Sequence, residues 1–95
     1  MQQNNKRLVK GFGMVSSEVI KDPGLSLQEK AMYAYLASYA DSSTNELFVG
    51  INRICDECNI TQSTVKRILN SLVKKNVIYR HGRGYKQTSK TILLK

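Results

Sequence analysis

The sequence predicts an α+β fold that is mainly α-helical, and three observations lead to that prediction. A capping box at Ser26 and Glu29 marks the start of one long helix. After Asn76 the composition changes to that of two strands, residues 77–81 and 88–94, which are joined by a glycine-containing tip. Between these features, apolar residues recur at helical spacing (i, i+3, i+4, i+7, i+8), at Val65, Ile68, Leu69, Leu72 and Val73.

The chain is predicted to form a short N-terminal arm and one domain. Residues 1–10 are polar and basic and lack the apolar core of a signal peptide, so we expect them to be partly disordered. Such an arm either reaches DNA phosphates or is a solvated tail. Residues 11–95 suffice for one domain with a single modest core. No apolar run approaches the length of a membrane span, and we expect a cytoplasmic protein.

Two helices are predicted in the first half of the domain. A short one, capped by Ser16 or Ser17, ends before Pro23, because the residue preceding a proline disfavours helical geometry. The second runs over residues 27–40 and is apolar around more than half of its circumference, which is typical of a buried central helix. Its three tyrosines are interpreted as core residues with hydroxyls at the rim, the alternative being a stacking platform for bases: Tyr33, Tyr35 and Tyr39.

The stretch from Ile51 to Asn76 predicts two helices joined by a tight turn. Residues 51–58 carry apolar side chains on one face, and a short strand at 47–49 precedes them. Asn59 suits the left-handed conformation that a helix C-terminus requires, and Thr61 is a good N-cap for a second helix over residues 61–75. This order matches a helix-turn-helix, although a helical hairpin without DNA-binding function has the same pattern.

The polar face of the second helix is suited to contact DNA, because it combines hydrogen-bonding and basic side chains. At 100° per residue, the face opposite the apolar stripe carries Ser63, Arg67, Asn70 and Lys74. Gln62 and Lys66 lie along its flank. Arginine suits guanine, whereas asparagine and glutamine suit adenine.

The charge of the chain is strongly segregated. The net charge is +8, yet residues 25–60 carry five acidic and two basic residues. Residues 61–95 carry nine basic residues and no acidic one. Segregation of this kind is the electrostatic footprint of a polyanion site, although acidic proteins and lipid headgroups also attract basic surfaces.

Cys55 and Cys58 form a C-x-x-C motif, which raises the possibility of a metal or redox site. A zinc site needs four ligands, and His81 is the only further candidate. A redox motif follows a strand, whereas this one lies inside a predicted helix. We therefore interpret both thiols as core-packing residues and predict no metal and no cofactor.

The two predicted strands form a hairpin whose tip, residues 82–89, carries Arg83, Tyr85 and Lys86. A helix-turn-helix followed by a hairpin with a basic tip is the winged-helix arrangement, in which the tip makes a second DNA contact. The alternative is a flexible loop whose charges only aid solubility.

The chain resembles the winged-helix domain at the N-terminus of replication initiator and replisome-organiser proteins of Gram-positive phages and plasmids. The resemblance covers residues 11–80, and its most specific pieces are LS-x3-K-x2-Y-x-YL-x-SYA and I-T-x-S-T-V. The family commonly has Phe-Pro-Ser where this chain has Phe48-Val49-Gly50. The resemblance implies double-stranded DNA binding, with replication proteins or a second copy of the chain on DNA as further partners. It does not separate origin binding from transcriptional control.

The sequence thus predicts a non-enzymatic, sequence-specific DNA-binding domain with no small-molecule substrate and no membrane partner. No nucleophile with a base, carboxylate pair or phosphate loop can be assembled. A small transcriptional regulator and a protein-interaction domain that docks an acidic partner are the alternatives. The recognition helix is expected to contact DNA through Thr61, Gln62, Ser63, Lys66, Arg67, Asn70 and Lys74. Wing and backbone contacts are assigned to Lys75, Arg80, Arg83, Tyr85, Lys86 and Lys90.

Overall fold

The computed structural model describes residues 15–82 and 88–95, which form four helices and a three-stranded antiparallel sheet. The helices are α1 (Ser17–Ile20), α2 (Leu27–Ala37), α3 (Ile51–Cys58) and α4 (Gln62–Lys74). The strands are β1 (Glu46–Leu47), β2 (Ile78–His81) and β3 (Lys90–Leu93). The mainly helical α+β prediction is confirmed, and the order of elements is that of a winged helix whose hairpin is the wing.

Local sequence signals set the helix-turn-helix geometry of α3 and α4. Asn59 ends α3 in the left-handed region, at φ 56° and ψ 48°, so the chain turns sharply. The Thr61 hydroxyl accepts a hydrogen bond from the Thr64 backbone N–H at 3.3 Å and caps α4. Asn76, at φ 61°, follows the C-terminus of α4. The predicted caps at both ends of the turn are confirmed.

Loss of the Thr61 cap tests how far this local signal stabilises the fold. We expect Thr61→Ala to lower the free energy of unfolding by about 1 kcal/mol, because the Thr64 N–H loses its partner. Urea denaturation followed by circular dichroism measures the change. Thr61→Ser is the matched control, since it keeps the hydroxyl that accepts from the Thr64 N–H. Equal losses in both variants would show that the cap contributes nothing specific.

The core lies between α2, α4 and the inner face of the sheet. Its central side chains are less than 2% exposed and include Tyr33, Leu36, Leu69, Leu72 and Ile78. Helix α2 begins with the predicted capping box but ends at Ala37, three residues early. It contributes Met32, Tyr33, Leu36 and Ala37 to the core, as expected for a central helix, whereas Leu27 at its start is 84% exposed.

The apolar stripe of α4 is narrower than predicted. Val65, Ile68, Leu69 and Leu72 are buried, whereas Val73 is 37% exposed. The reason is angular, because Val73 lies about 90° from the centre of the buried four at ~100° per residue. Val73 therefore belongs to the edge of the exposed face.

The sheet contains a third strand, β1, which precedes the helix-turn-helix and pairs with strand β3 of the wing. β3 lies in the centre of the sheet, between β1 and β2. Tyr79 lies opposite Ile92 in the β2–β3 pair, and Glu46 also lies opposite Ile92 in the β1–β3 pair. The expected strand at 47–49 is thus shifted to Glu46–Leu47. Residues 83–87 of the tip, the arm at 1–10 and residues 11–14 lie outside the described residues.

Candidate nucleic-acid interface

The exposed face of α4 carries the side chains that the sequence assigned to the recognition helix. All seven are exposed: Thr61, Gln62, Ser63, Lys66, Arg67, Asn70 and Lys74. In the part of the chain that the structure describes, no carboxylate lies within salt-bridge distance of Lys66, Arg67 or Lys74. These three cations are therefore available to an anionic partner.

Two residues on this face are held by amides from the flanking helices. The Gln62 Nε2 donates to Asn52 Oδ1 at 3.2 Å, which ties the first residue of α4 to α3. The Arg67 Nη2 donates to Gln28 Oε1 at 3.3 Å, which ties the middle of α4 to α2. All four side chains are exposed. The exposed face of α4 is thus bordered on both edges by neutral amide groups.

Lys75 has a role other than the predicted backbone contact with DNA. Its Nζ lies 2.9 Å from Glu29 Oε1 and also donates to the Gly24 carbonyl at 2.9 Å. Glu29 is 5% exposed, so this ion pair neutralises a buried carboxylate of α2. The charge of Lys75 is therefore engaged within the domain, and we propose that this residue serves helix packing rather than DNA contact.

The environment of Glu29 favours its charged form. Burial raises the pKa of the carboxyl, but hydrogen bonds from Ser71 and from the Ser26 backbone N–H act in the opposite direction. The hydrogen bond and the charge of Lys75 lower it further, and the resulting pKa is about 2. Ser71 lies in the last turn of α4, and Lys75 follows its final residue. Glu29 therefore joins α2 to the C-terminal end of the candidate recognition helix.

Two of the residues predicted to contact DNA from the wing lie in the sheet. Arg80 is half-buried, its Nε donates to Thr91 Oγ1 at 3.3 Å, and burial lowers its pKa. Lys90 lies 3.5 Å from Glu46 Oε2, so part of its charge is balanced. Three further predicted contacts lie outside the described residues: Arg83, Tyr85 and Lys86.

Sequence reasoning missed three features of this surface. Gln28 and Asn52 were not singled out, because their partners lie 39 and ten residues away in the chain. The sequence signal that could have identified Asn52 was its position on the polar face of α3. The third feature is the exposed pair of Tyr79 and His81, whose rings stack with centroids 6.5 Å apart. The sequence signal for this pair was its i, i+2 spacing along β2, which places both side chains on the same face of the strand.

The three tyrosines make hydrogen bonds within the domain. Tyr33 is buried, and its hydroxyl donates to the Lys95 carbonyl at 3.0 Å, as expected for a core tyrosine. Tyr35 in α2 and Tyr39 just after it both donate to Glu57 Oε1, at 2.6 and 2.5 Å, and so link this part of the chain to α3. These contacts favour the structural interpretation of the three rings over a platform for bases.

Cys55 and Cys58 are half-buried free thiols that pack against the core, which confirms the packing interpretation. Burial, with the charge of Glu57, raises the pKa of the Cys58 thiol and makes it a weaker nucleophile. Across residues 15–82 and 88–95, no group of three His, Cys, Asp or Glu side chains is placed to hold a metal ion. No helix in these ranges is long and apolar enough to cross a bilayer.

The comparison with known families agrees with this geometry. A family model described as a helix-turn-helix domain matches residues 24–78, which is more than half of the chain. The match begins before α2, spans α3 and α4, and ends at the first residue of β2. No curated protein and no solved structure matches the chain significantly. The chain therefore belongs to the helix-turn-helix domain family.

Proposed function

We propose that this chain is a sequence-specific double-stranded DNA-binding domain of the replication-initiator type carried by phages and plasmids. The single observation that carries the DNA-binding part is the exposed face of α4. Among hydroxyl and amide side chains it presents three cations that have no carboxylate partner within residues 15–82 and 88–95. Cations bind phosphates, whereas hydroxyls and amides distinguish base edges, so the face combines affinity with specificity.

The dimensions of α4 suit the major groove. Its 13 residues make a helix about 20 Å long at ~1.5 Å per residue. Helix α3 packs against it, and the left-handed conformation of Asn59 sets the direction in which the chain turns between the two helices. In this arrangement the second helix enters the groove while the first supports it.

Side chains on the exposed face take different roles in this proposal. Gln62 and Asn70 recognise adenine through paired donor and acceptor atoms, and Arg67 recognises guanine. Thr61 and Ser63 contribute hydroxyls near the entry of the helix, and Lys66 and Lys74 bind flanking phosphates. The wing adds phosphate contacts through Arg80, Arg83, Tyr85, Lys86 and Lys90, and the arm at residues 1–10 adds further ones.

The replication part of the proposal is supported by the resemblance of residues 11–80 to phage and plasmid initiator domains. A transcriptional regulator uses the same fold, so the DNA site itself must distinguish them. Selection of a preferred duplex from random DNA is the decisive experiment. Direct repeats in the selected site support an origin-binding protein, whereas an inverted repeat supports a regulator that binds an operator as a dimer. Binding to no duplex even at about 50 mM salt would favour docking to an acidic protein instead.

The phosphate role of Lys74 predicts a uniform effect on binding. We expect Lys74→Ala to weaken binding to the selected duplex and to random duplexes by the same factor. The slope of log K against log salt should become shallower by about one unit, because one fewer counterion is released. Fluorescence anisotropy titrations at several salt concentrations measure both quantities.

Lys75→Gln is the matched control for Lys74→Ala. Its ammonium is held by Glu29, so removing this cation should leave the salt slope unchanged, under conditions where circular dichroism shows the variant to be folded. A reduced slope for Lys75→Gln, with no change for Lys74→Ala, would contradict the assignment of both lysines.

A further inference from the structure

We infer that Gln28 and Asn52 are specificity-determining positioning residues, which fix Arg67 and Gln62 in the orientations that contact bases. The inference rests on the proposed function. It extends the recognition surface from α4 to the two flanking helices, which the sequence did not implicate. Two hydrogen bonds carry it, Gln62 Nε2 to Asn52 Oδ1 at 3.2 Å and Arg67 Nη2 to Gln28 Oε1 at 3.3 Å.

The hydrogen bond to Asn52 leaves Gln62 with the atoms that adenine requires. A glutamine amide has two N–H donors and one carbonyl acceptor. One donor is used by Asn52, and among the described residues no group is hydrogen-bonded to the second donor or to Oε1. Adenine presents an acceptor at N7 and a donor at N6 in the major groove, and this pair matches the free atoms. Asn52 thereby restrains the amide while one donor and Oε1 remain for the base.

The hydrogen bond to Gln28 acts on Arg67 in the same way. A guanidinium has five N–H donors, and Gln28 uses one on Nη2. Enough donors remain for the bidentate contact with guanine O6 and N7. Because Gln28 is neutral, it orients the guanidinium without cancelling the charge that attracts DNA. An acidic residue at this position would hold Arg67 as well but would reduce the positive potential of the face.

The pre-ordering of both side chains raises affinity and narrows sequence preference. Long exposed side chains lose rotamer freedom when they bind, and a partner that restricts them beforehand removes part of that cost. Gln62 lies on the flank of the exposed face and is held from α3, whereas Arg67 lies opposite the apolar stripe and is held from α2. Each of the two positioning residues therefore controls the preference at a different base pair.

A double-mutant cycle on the selected duplex tests the inference for Asn52. We expect Asn52→Ala to weaken binding about three- to tenfold and to relax the preference at one base pair. In a Gln62→Ala background, Asn52→Ala should have no further effect, because the residue acts through Gln62. Additive effects, or an unchanged sequence preference, would overturn the inference. Both side chains are exposed, so thermal unfolding should be unchanged, and a lower melting temperature with unaltered preference would likewise count against it.

Gln28 permits a conservative variant that separates positioning from charge. Gln28→Ala should relax the preference at the base pair that Arg67 contacts. Gln28→Glu retains the acceptor for Nη2, so it should preserve that preference while weakening binding to every duplex. Loss of the preference in both variants would overturn the role of the acceptor. If the unsubstituted chain binds no duplex, the proposed function fails together with this inference, whereas specific binding with unaltered profiles in all variants overturns the inference alone.

Discussion

Replacing Arg67 with alanine is expected to weaken binding to the preferred duplex by about 1 to 3 kcal/mol and to relax the preference at one base pair. The physical reason is the bidentate contact that a guanidinium makes with guanine. Binding to random duplexes should fall much less, because Arg67 contributes only its charge there. Quantitative anisotropy titrations with the selected site and with single-base variants of it measure the effect.

Arg67→Lys is the matched control, because it keeps the charge and removes the planar fork. We expect the salt slope of this variant to remain unchanged while the base preference is lost. Equal losses on the selected and random duplexes for Arg67→Ala would instead identify Arg67 as a phosphate contact. In that case the hydrogen bond that Arg67 donates to Gln28 would orient the guanidinium towards the DNA backbone.

Replacing Glu29 with glutamine is expected to lower the free energy of unfolding at neutral pH by about 1 to 3 kcal/mol. Glu29 accepts hydrogen bonds from Ser71 and Lys75, 42 and 46 residues further along the chain. The variant loses the ion pair and places an uncharged amide among these donors. Because Lys75 is 43% exposed at its side chain, water can solvate the released ammonium, which limits the loss.

The loss in Glu29→Gln should depend on pH in a defined direction. The pKa of Glu29 is about 2 in the folded chain, below the ordinary value of 4.5 for a glutamate, so the carboxylate stabilises the fold above pH 4.5. This contribution disappears as the pH falls from 4.5 towards 2, and the variant and the unsubstituted chain should converge there. Urea denaturation across this range measures the difference.

Glu18→Gln supplies the control for that pH series, because Glu18 is an exposed carboxylate in the first turn of α1. It changes the net charge by the same amount without removing a buried ion pair. A constant difference between Glu29→Gln and the unsubstituted chain from pH 7 to pH 2 would contradict the role assigned to the Glu29 carboxylate.

Much of the helix-turn-helix follows from short-range signals in the sequence. The Ser26 capping box, the left-handed Asn59 and the Thr61 cap each depend on residues within three positions of one another. Such signals act before the chain has folded, so reading them requires no knowledge of the tertiary structure. The phase of α4 is equally local, and it placed seven candidate contacts on what proved to be an exposed face.

The strands were predicted less accurately, because their limits depend on partners far away in the chain. β1 is only Glu46–Leu47, and its position is set by pairing with residues 91 and 92 of β3. Sequence composition alone indicated strand character near Leu47 but contained no information on that register. The winged-helix arrangement was nevertheless correct, because the order of elements does not depend on strand limits.

The sequence by itself determined the helix-turn-helix, its caps and the basic character of the C-terminal third. Tertiary structure alone decided which basic side chains are available to DNA. Lys74 and Lys75 are adjacent, chemically identical and both exposed, yet within the described ranges Lys74 has no acidic partner, whereas Lys75 neutralises Glu29. The difference arises because α2 packs against α4 and brings a buried carboxylate to Lys75. Contacts between helices of this kind depend on the fold, and no local pattern encodes them.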